Sequence, residues 1–209
     1  MSEIVVFGHP SLTTKSVNVE SIDDYIVSLT KKMIQIMYDA PGVGLAAPQI
    51  GINKNIFVFD AGDGPKVAIN PKLDDLQGSV VFMEGCLSLP GYYWDIDRYE
   101  YAKVSCLNQN GEEVIYEGED LLGRVLQHEY DHLQGQLLLK QLNRKVRKEA
   151  LKEISIKGFP RPLLTGSVVT TVIDSSELLT VARYGILLKS DPKKYLYFVT
   201  WKTFYRNFF

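Results

Sequence analysis

The stretch LLGRVLQHEYDHL, residues 121–133, predicts a helix with one side turned toward the core, because its apolar residues recur every three or four positions. Its inward side carries Leu122, Val125, Leu126, Glu129 and Leu133. His128 and His132 are four residues apart, so their imidazoles lie on one face, one turn apart. Gly135 follows where a glycine commonly ends a helix. This helix therefore joins the core and also presents two metal-binding groups.

Residues 128–132, HEYDH, match the pattern H-E-x-x-H. Two neutral imidazoles and one thiolate make a three-ligand metal site with a position left for water. Cys86 is the candidate thiolate, because Gly85 before it breaks a strand and would turn the thiol into a cleft. Glu129 follows His128 directly, so its carboxylate is offset from the helix face that carries the two imidazoles. It could reach a metal-bound water without being a ligand, which suits a general base. The alternative is that Glu129 only orients a histidine.

The bulk composition is that of a soluble globular protein, with 209 residues, 45% hydrophobic and 23% charged. Its two cysteines cannot form a disulfide framework, so we expect a reducing, cytoplasmic location. Cys106 falls in an apolar strand pattern and is expected to be a buried hydrophobe. There is no signal-peptide pattern and no apolar run long enough for a membrane span. The net charge of −2 gives no indication of a DNA partner.

The rest of the chain predicts helices at both ends of a strand-rich middle. Helical spacing predicts a helix over residues 21–38, capped by Ser21, and a basic helix over residues 143–152. Between them lies the small-residue stretch 42–51. The predicted strands are Ile56–Asp60, Lys66–Asn70, Ser79–Met83, Tyr92–Tyr101, Lys103–Asn108 and Glu113–Gly118. Strands this closely spaced favour antiparallel sheets.

The tail over residues 160–209 differs from the rest, since eight of its last fifteen residues are aromatic. Val168–Ile173 and Tyr195–Thr200 are predicted strands. An exposed aromatic strand would promote aggregation, so we expect this extension to be β-rich and to pack on the body or on a partner subunit. The predicted domains are a catalytic domain over residues 1–159 and an extension of unknown role over residues 160–209.

Three motifs in this order resemble those of the peptide deformylases. They are GVGLAAPQ at residues 42–49, EGCLS at residues 84–88 and QHEYDHLQG at residues 127–135. The resemblance covers about residues 5–159 and none of the tail. It implies an α+β fold with antiparallel sheets packed around a central metal-binding helix, N- and C-terminal helices, and here an extra C-terminal tail.

The resemblance also implies the reaction, which is removal of the N-formyl group from the starting methionine of new proteins with release of formate. Cys86, His128 and His132 would bind a divalent metal, Fe²⁺ in the cell, with Zn²⁺ or Ni²⁺ able to take its place. The implied partners are N-formylmethionyl peptides and nascent chains. The basic helix over residues 143–152 adds a weaker hypothesis of transient association with the ribosome.

The roles of further residues follow from the same resemblance. Glu129 takes the proton of the attacking water, and the developing oxyanion is held by the metal, the Leu87 backbone N–H and the Gln49 side chain. The substrate-binding residues are expected to be Val43, Gly44, Gly85 and Val125. Glu84 is similar to a buried carboxylate that supports the site, and we infer, beyond the resemblance, that it pairs with Arg124. After Pro90, the stretch Gly91–Tyr93 lacks a basic residue that could meet the carboxylate of a peptide, which leaves the substrate preference open.

The alternative function is an H-E-x-x-H zinc endopeptidase. Its third ligand would lie downstream. The longer form of the motif has a third histidine, but Leu138 occupies that position in this chain. Glu149 and Glu153 remain as candidate ligands, both in a basic helix with the pattern of a surface element. A non-catalytic binding protein on the same fold is the second alternative.

Overall fold

The structure is a computed structural model that describes residues 4–159 and, beyond them, only the backbone of three short strands. The chain forms two compact units, residues 1–160 and residues 161–209. In the part of the chain that is described, no helix has the length and apolar character needed to span a membrane.

The first unit is α+β, as the sequence predicts. Its helices are α1 (Asp24–Asp39), α2 (Asp120–Leu133) and α3 (Arg144–Lys157), with short 3-10 turns at Pro10–Thr13, Ala47–Ile50 and Leu138–Lys140. Its strands are β1 (Gly44–Ala46), β2 (Ile56–Phe59), β3 (Lys66–Gln77), β4 (Val80–Gly85), β5 (Tyr93–Arg98), β6 (Tyr101–Leu107) and β7 (Glu113–Gly118).

All strand pairs in this unit are antiparallel. One sheet has five strands in the order β1-β2-β3-β6-β7, and β4 and β5 form a separate two-stranded hairpin. Helix α2 packs against the five-stranded sheet, chiefly against β6 and β1. One core cluster lies between α1 and strands β1, β2 and β3, and another joins the β4–β5 hairpin to α3. The metal-binding motif on α2 therefore lies among antiparallel sheets.

Helix α1 begins later than predicted. Ser21 is not its cap; the side chain of Asp23 accepts a hydrogen bond from the Ile26 N–H at 2.9 Å, which satisfies one of the unpaired donors of the first turn. Helix α3 runs to Lys157 rather than Lys152, and Asn143 caps it through the Val146 N–H at 3.0 Å. Helix α2 ends as expected, with Gly135 at φ +67° just beyond it.

Of the six predicted strands in this unit only Glu113–Gly118 has the predicted limits; three others differ by one or two residues at an end, and two differ by more. Strand β3 extends well beyond Asn70, because a register shift between Ile69 and Lys72 lets its pairing with β6 continue past Pro71. The run Tyr92–Tyr101 is split, with β5 ending at Arg98 and β6 beginning at Tyr101. Tyr99 and Glu100 lie between them and connect two strands that belong to different sheets.

The described residues of the second unit form three antiparallel strands, β8 (Thr180–Ala182), β9 (Gly185–Leu188) and β10 (Leu196–Tyr197), in the order β10-β9-β8. Of the predicted strand Tyr195–Thr200, only Leu196–Tyr197 is described, and Val168–Ile173 lies outside the described residues. The expected packing of the aromatic tail and the role of residues 160–209 remain predictions.

Candidate active site

The structure brings Cys86, His128 and His132 together. One side-chain donor atom from each lies within 4.8 Å of the others, and Cys86 Sγ is 3.3 Å from His132 Nε2. Donor atoms on a common tetrahedral metal are about 3.3–3.7 Å apart, so this cluster fits a metal with little adjustment. One thiolate with two imidazoles suits a divalent transition metal of borderline softness. His132 is buried and Cys86 is nearly so, whereas the His128 side chain is 13% exposed, so solvent reaches the cluster from the side of His128 only in part.

A buried carboxylate, Glu84, holds one side of the cluster. Its Oε2 lies 2.9 Å from His128 Nδ1, which leaves Nε2 of that ring for the ligand role. Its Oε1 accepts hydrogen bonds at 2.6 Å from Arg98 Nε and from Arg124 Nη1. Arg98 Nη1 also donates to Asp131 Oδ2 at 2.9 Å. The predicted Glu84–Arg124 pair is confirmed, but sequence reasoning missed Arg98 and Asp131.

The charges in this network favour a positive charge at His128. Burial by itself raises the pKa of Glu84, but the His128 hydrogen bond and the Arg98 charge outweigh it and lower that pKa to about 2. Burial works to lower the pKa of His128, yet its contacts with Cys86 and Glu84 hold that pKa well above its ordinary value. A position that stabilises positive charge in this way is suited to a cation.

The Glu129 carboxylate lies between α2 and β1. It is buried, and its Oε2 has no hydrogen-bond partner among the described residues. A Cβ built on Gly44 would overlap this carboxylate, with 2.7 Å to Glu129 Cδ, so the glycine provides its space. Burial raises the pKa of Glu129 to about 7. A carboxyl group with such a pKa can both accept and release a proton near neutrality.

Gln49 presents its amide NH₂ group toward the ligands. Its Oε1 accepts a hydrogen bond from the Ala46 N–H at 2.8 Å, which fixes the orientation of the amide. Its Nε2 lies 3.7 Å from Cys86 Sγ and 3.4 Å from Ser88 Oγ. The backbone carbonyl of Gln49 accepts from the Val5 N–H, which ties this segment to the N-terminal part of the chain. A donor fixed in this way can meet a negative charge that develops beside Cys86.

Leu87 follows Cys86 in a turn that is closed by the Leu89 N–H bonding to the Cys86 carbonyl at 2.9 Å. The Leu87 side chain packs over Gly42, where a Cβ would lie 2.8 Å from Leu87 Cδ1. The small-residue stretch is therefore packed against the ligand-bearing turn. It is largely buried and contributes β1, so it is not a tight surface loop.

Strand β1 is an edge of its sheet. The Val43 carbonyl accepts from the Asp60 N–H at 2.9 Å, so it is already used inside the protein. Because hydrogen-bonding direction alternates along an antiparallel strand, the backbone groups of Gly44 point to the open edge. Of the two expected substrate-binding residues Val43 and Gly44, only Gly44 therefore has both its backbone N–H and its carbonyl at the open edge. Val125 is buried on α2, one turn before His128.

Among residues 4–159, Cys86, His128 and His132 form the only group of three or more His, Cys, Asp or Glu side chains placed to hold a metal. Glu149 and Glu153, the ligands that an endopeptidase would need, are not part of it, and Glu153 accepts a hydrogen bond from Lys157. Cys106 is also outside the cluster, and burial raises the pKa of its thiol to about 12. Nothing in the site supports the endopeptidase alternative.

The family model for polypeptide deformylase matches residues 1–148. A peptide deformylase of Clostridium botulinum is 50% identical over 139 residues, which is 66% of this chain and 95% of that protein. A peptide deformylase of Acidothermus cellulolyticus is 44% identical over 151 residues, covering 72% of this chain and 84% of the relative.

Solved structures give the same result. The peptide deformylase of Ehrlichia chaffeensis in complex with actinonin superposes with a TM-score of 0.70 at 38% identity, over 74% of this chain and 96% of that one. The peptide deformylase of Thermus thermophilus also gives a TM-score of 0.70, at 36% identity over 75% of this chain and 94% of that one.

Proposed function

The chain belongs to the polypeptide deformylase family and is a metal-dependent hydrolase that removes the N-formyl group from newly synthesised proteins; from this premise we propose that Cys86, His128 and His132 bind the metal and that Glu129 is the general base. The observation that carries the proposal is the approach of one donor atom from each of these three residues to within 4.8 Å of the others, with Glu129 directly after His128 in sequence. The metal, when bound, supplies Lewis-acid activation of water and polarises the formyl carbonyl.

The protein groups position the substrate and move its protons. Gly44 presents an N–H and a carbonyl at the open edge of β1, where an extended peptide can pair as an added strand. Val43, Gly85 and Val125 are proposed to line the position of the methionine and the backbone that follows it. Because Val125 lies in α2, Gly85 ends β4, and Val43 directly precedes Gly44 of β1, the formyl group would reach the ligands in a fixed orientation.

Glu129 is proposed to take a proton from the attacking water and to pass it to the leaving nitrogen. The hydroxyl adds to the formyl carbon, the carbon–nitrogen bond breaks, and formate and a free amine are released. The negative charge that develops on the formyl oxygen is stabilised by the Gln49 amide and the Leu87 backbone N–H. The buried Glu129 carboxylate supports this role, because its Oε2 has no hydrogen-bond partner among the described residues and so is available to a proton.

We further propose Fe²⁺ as the metal in the cell, with Zn²⁺ or Ni²⁺ as substitutes, and a cytoplasmic location. The thiolate and two imidazoles accept any of these ions, and both cysteines of the chain are free thiols, which suits a reducing compartment. Metal analysis of protein purified under anaerobic conditions distinguishes the ions.

A transient association with the ribosome is proposed through α3, whose residues Arg144, Lys145, Arg147, Lys148 and Lys152 give it a basic face. Association through phosphate contacts must weaken as salt rises. If the protein does not sediment with ribosomes at low salt, the association is contradicted. It is also contradicted if the amount that sediments does not change with salt.

Formate release from formyl-Met-Ala-Ser tests the assigned roles. Wild-type protein should release formate, and Glu129→Gln should lose at least about 100-fold in kcat/KM while keeping its metal, because only the proton carrier is lost. Cys86→Ala should lose the metal as well as the activity. Full activity in Glu129→Gln would refute its role as the base.

A further inference from the structure

The connection between α1 and β1, residues 40–43, leads directly into the edge strand of the site. Gly42 in this connection packs against the ligand-bearing turn, since a Cβ there would lie 2.8 Å from Leu87 Cδ1. Gly44, the next residue after the connection, leaves room for the Glu129 carboxylate. The position of this short segment therefore affects the edge strand, the base and the turn after Cys86 together.

Backbone hydrogen bonds hold the connection at both of its ends. Near α1, the Gly42 N–H donates to the Met37 carbonyl at 2.8 Å. Near β1, the Val43 carbonyl accepts from the Asp60 N–H at 2.9 Å, and Asp60 directly follows β2. The connection is thus held between the last turn of α1 and the end of β2.

The Asp60 side chain joins these two ends. It is 3% exposed, and its Oδ2 accepts a hydrogen bond from the Tyr38 hydroxyl at 2.7 Å. Its Oδ1 accepts from the Gly62 N–H at 2.8 Å, which orders the turn after β2. Tyr38 lies in the last turn of α1. The contacts therefore close a ring that runs from Tyr38 along the connection to Val43, across to Asp60, and back through the hydroxyl.

We propose that Tyr38 and Asp60 are positioning residues, whose hydrogen bond fixes the α1–β1 connection and so aims the backbone groups of Gly44 at the substrate. The proposal rests on the deformylase function proposed above, because it uses the pairing of a peptide with Gly44. Neither residue belongs to the group of candidate metal ligands. Their effect is therefore on substrate binding through Gly44, and not on the metal.

The location of this hydrogen bond gives it its influence. A hydroxyl that donates to a buried carboxylate makes a charge-assisted bond, which contributes more than a bond between exposed groups. Tyr38→Phe removes the donor and keeps the ring. The Val43–Asp60 backbone bond then loses its link to α1, so the edge strand can occupy more positions. A peptide must order the strand when it binds, which costs affinity.

Steady-state kinetics on formyl-Met-Ala-Ser test the proposal. Tyr38→Phe should raise KM about threefold to tenfold and keep kcat within about twofold, because pairing with Gly44 is equally strong in the ground and transition states. Its metal content should stay normal. Tyr101→Phe is the matched control, since it also removes a hydroxyl bonded to a carboxylate, that of Glu117 at 3.0 Å, on strands at the end of the sheet opposite β1. An unchanged KM in Tyr38→Phe overturns the proposal, as does an equal rise in Tyr101→Phe.

A double-mutant cycle tests whether the two residues act through their shared bond. Asp60→Asn keeps an oxygen for the Gly62 N–H and removes the charge that the Tyr38 hydroxyl meets, so it should also raise KM. Combining it with Tyr38→Phe should raise KM no further than the larger single effect, because both changes weaken the same bond. Single effects that multiply in the double variant contradict the pairing.

Amide hydrogen exchange gives a readout that does not depend on activity. In Tyr38→Phe the N–H groups of Asp60 and Gly42 should exchange several-fold faster, because the ring of contacts is open, while the amides of β6 and β7 keep their wild-type rates. Unchanged exchange at both positions overturns the proposal. Absence of formate release in wild-type protein would instead refute the deformylase function, and the exchange rates would still test the bond between Tyr38 and Asp60.

Discussion

At the scale of single residues, Glu84 connects the fold to the ligands. One carboxylate binds Arg98, Arg124 and His128, although it is 1% exposed. Its two oxygens satisfy groups that reach it from β5 and α2. A residue with this many buried charged partners affects both stability and ligand geometry, so the two effects can be measured on the same variant.

Glu84→Ala should lower the free energy of unfolding by about 3–5 kcal/mol, because it leaves Arg98 and Arg124 buried without their shared carboxylate. Glu84→Gln should cost less, because its amide oxygen can still accept one hydrogen bond. Urea unfolding, monitored by circular dichroism, measures the free energy of unfolding of both variants. Metal analysis shows whether His128 still binds the metal. The exposed Glu113→Gln is the control and should change stability by less than about 0.5 kcal/mol. A Glu84→Ala protein as stable as wild type would contradict the assigned network.

At the scale of secondary structure, the site depends on the close approach of β1 to α2. Gly44 on β1 leaves room for the Glu129 carboxylate, and the amide of Gln49 just after β1 faces Cys86. The sequence predicted α2 well, because its helical periodicity, its metal-binding pattern and Gly135 all indicate the same element. It did not predict β1, because a strand of three residues within a glycine-rich stretch has no periodicity of its own.

Gly44→Ala should reduce kcat/KM by about 100-fold, since the added methyl group would displace the Glu129 carboxylate from its place. Its metal content should stay normal, because β1 contributes no ligand. Formate release and metal analysis on the same preparation distinguish displacement of the Glu129 carboxylate from loss of the metal. Gly42→Ala is the comparison variant and should lose less activity, because its closest contact is the flexible end of Leu87. Unchanged activity in Gly44→Ala would show that Glu129 does not need this space.

At the scale of the whole molecule, residues 1–160 form a unit with cores of their own. Both core clusters described above draw on residues before 160. Phe159 closes the second cluster, with its ring edge-on to Tyr92 at 6.0 Å. All proposed catalytic and ligand residues also lie within this unit.

A chain ending at Pro160 should fold and keep kcat/KM for formyl-Met-Ala-Ser within about twofold of the full chain, because its core and site are retained. A chain ending at Asn143 is the contrasting variant. It lacks α3 and so exposes the cluster that Ala150 and Ile154 help to cover, and it should be much less stable to urea. If the chain ending at Pro160 is folded but inactive, residues 161–209 contribute to catalysis.

The sequence by itself determined the groups on which the proposed chemistry rests: a thiolate and two imidazoles as candidate ligands, a carboxylate beside them, and the helix that carries three of these groups. These features are local, since spacing along a helix decides which side chains share a face. Only the tertiary structure decided that Glu84 meets Arg98, Arg124 and His128, which are 14, 40 and 44 residues away in the chain. It also decided that Tyr93 covers Gly85 beside the metal site. Such contacts depend on how strands and helices pack, and no pattern of neighbouring residues records that packing.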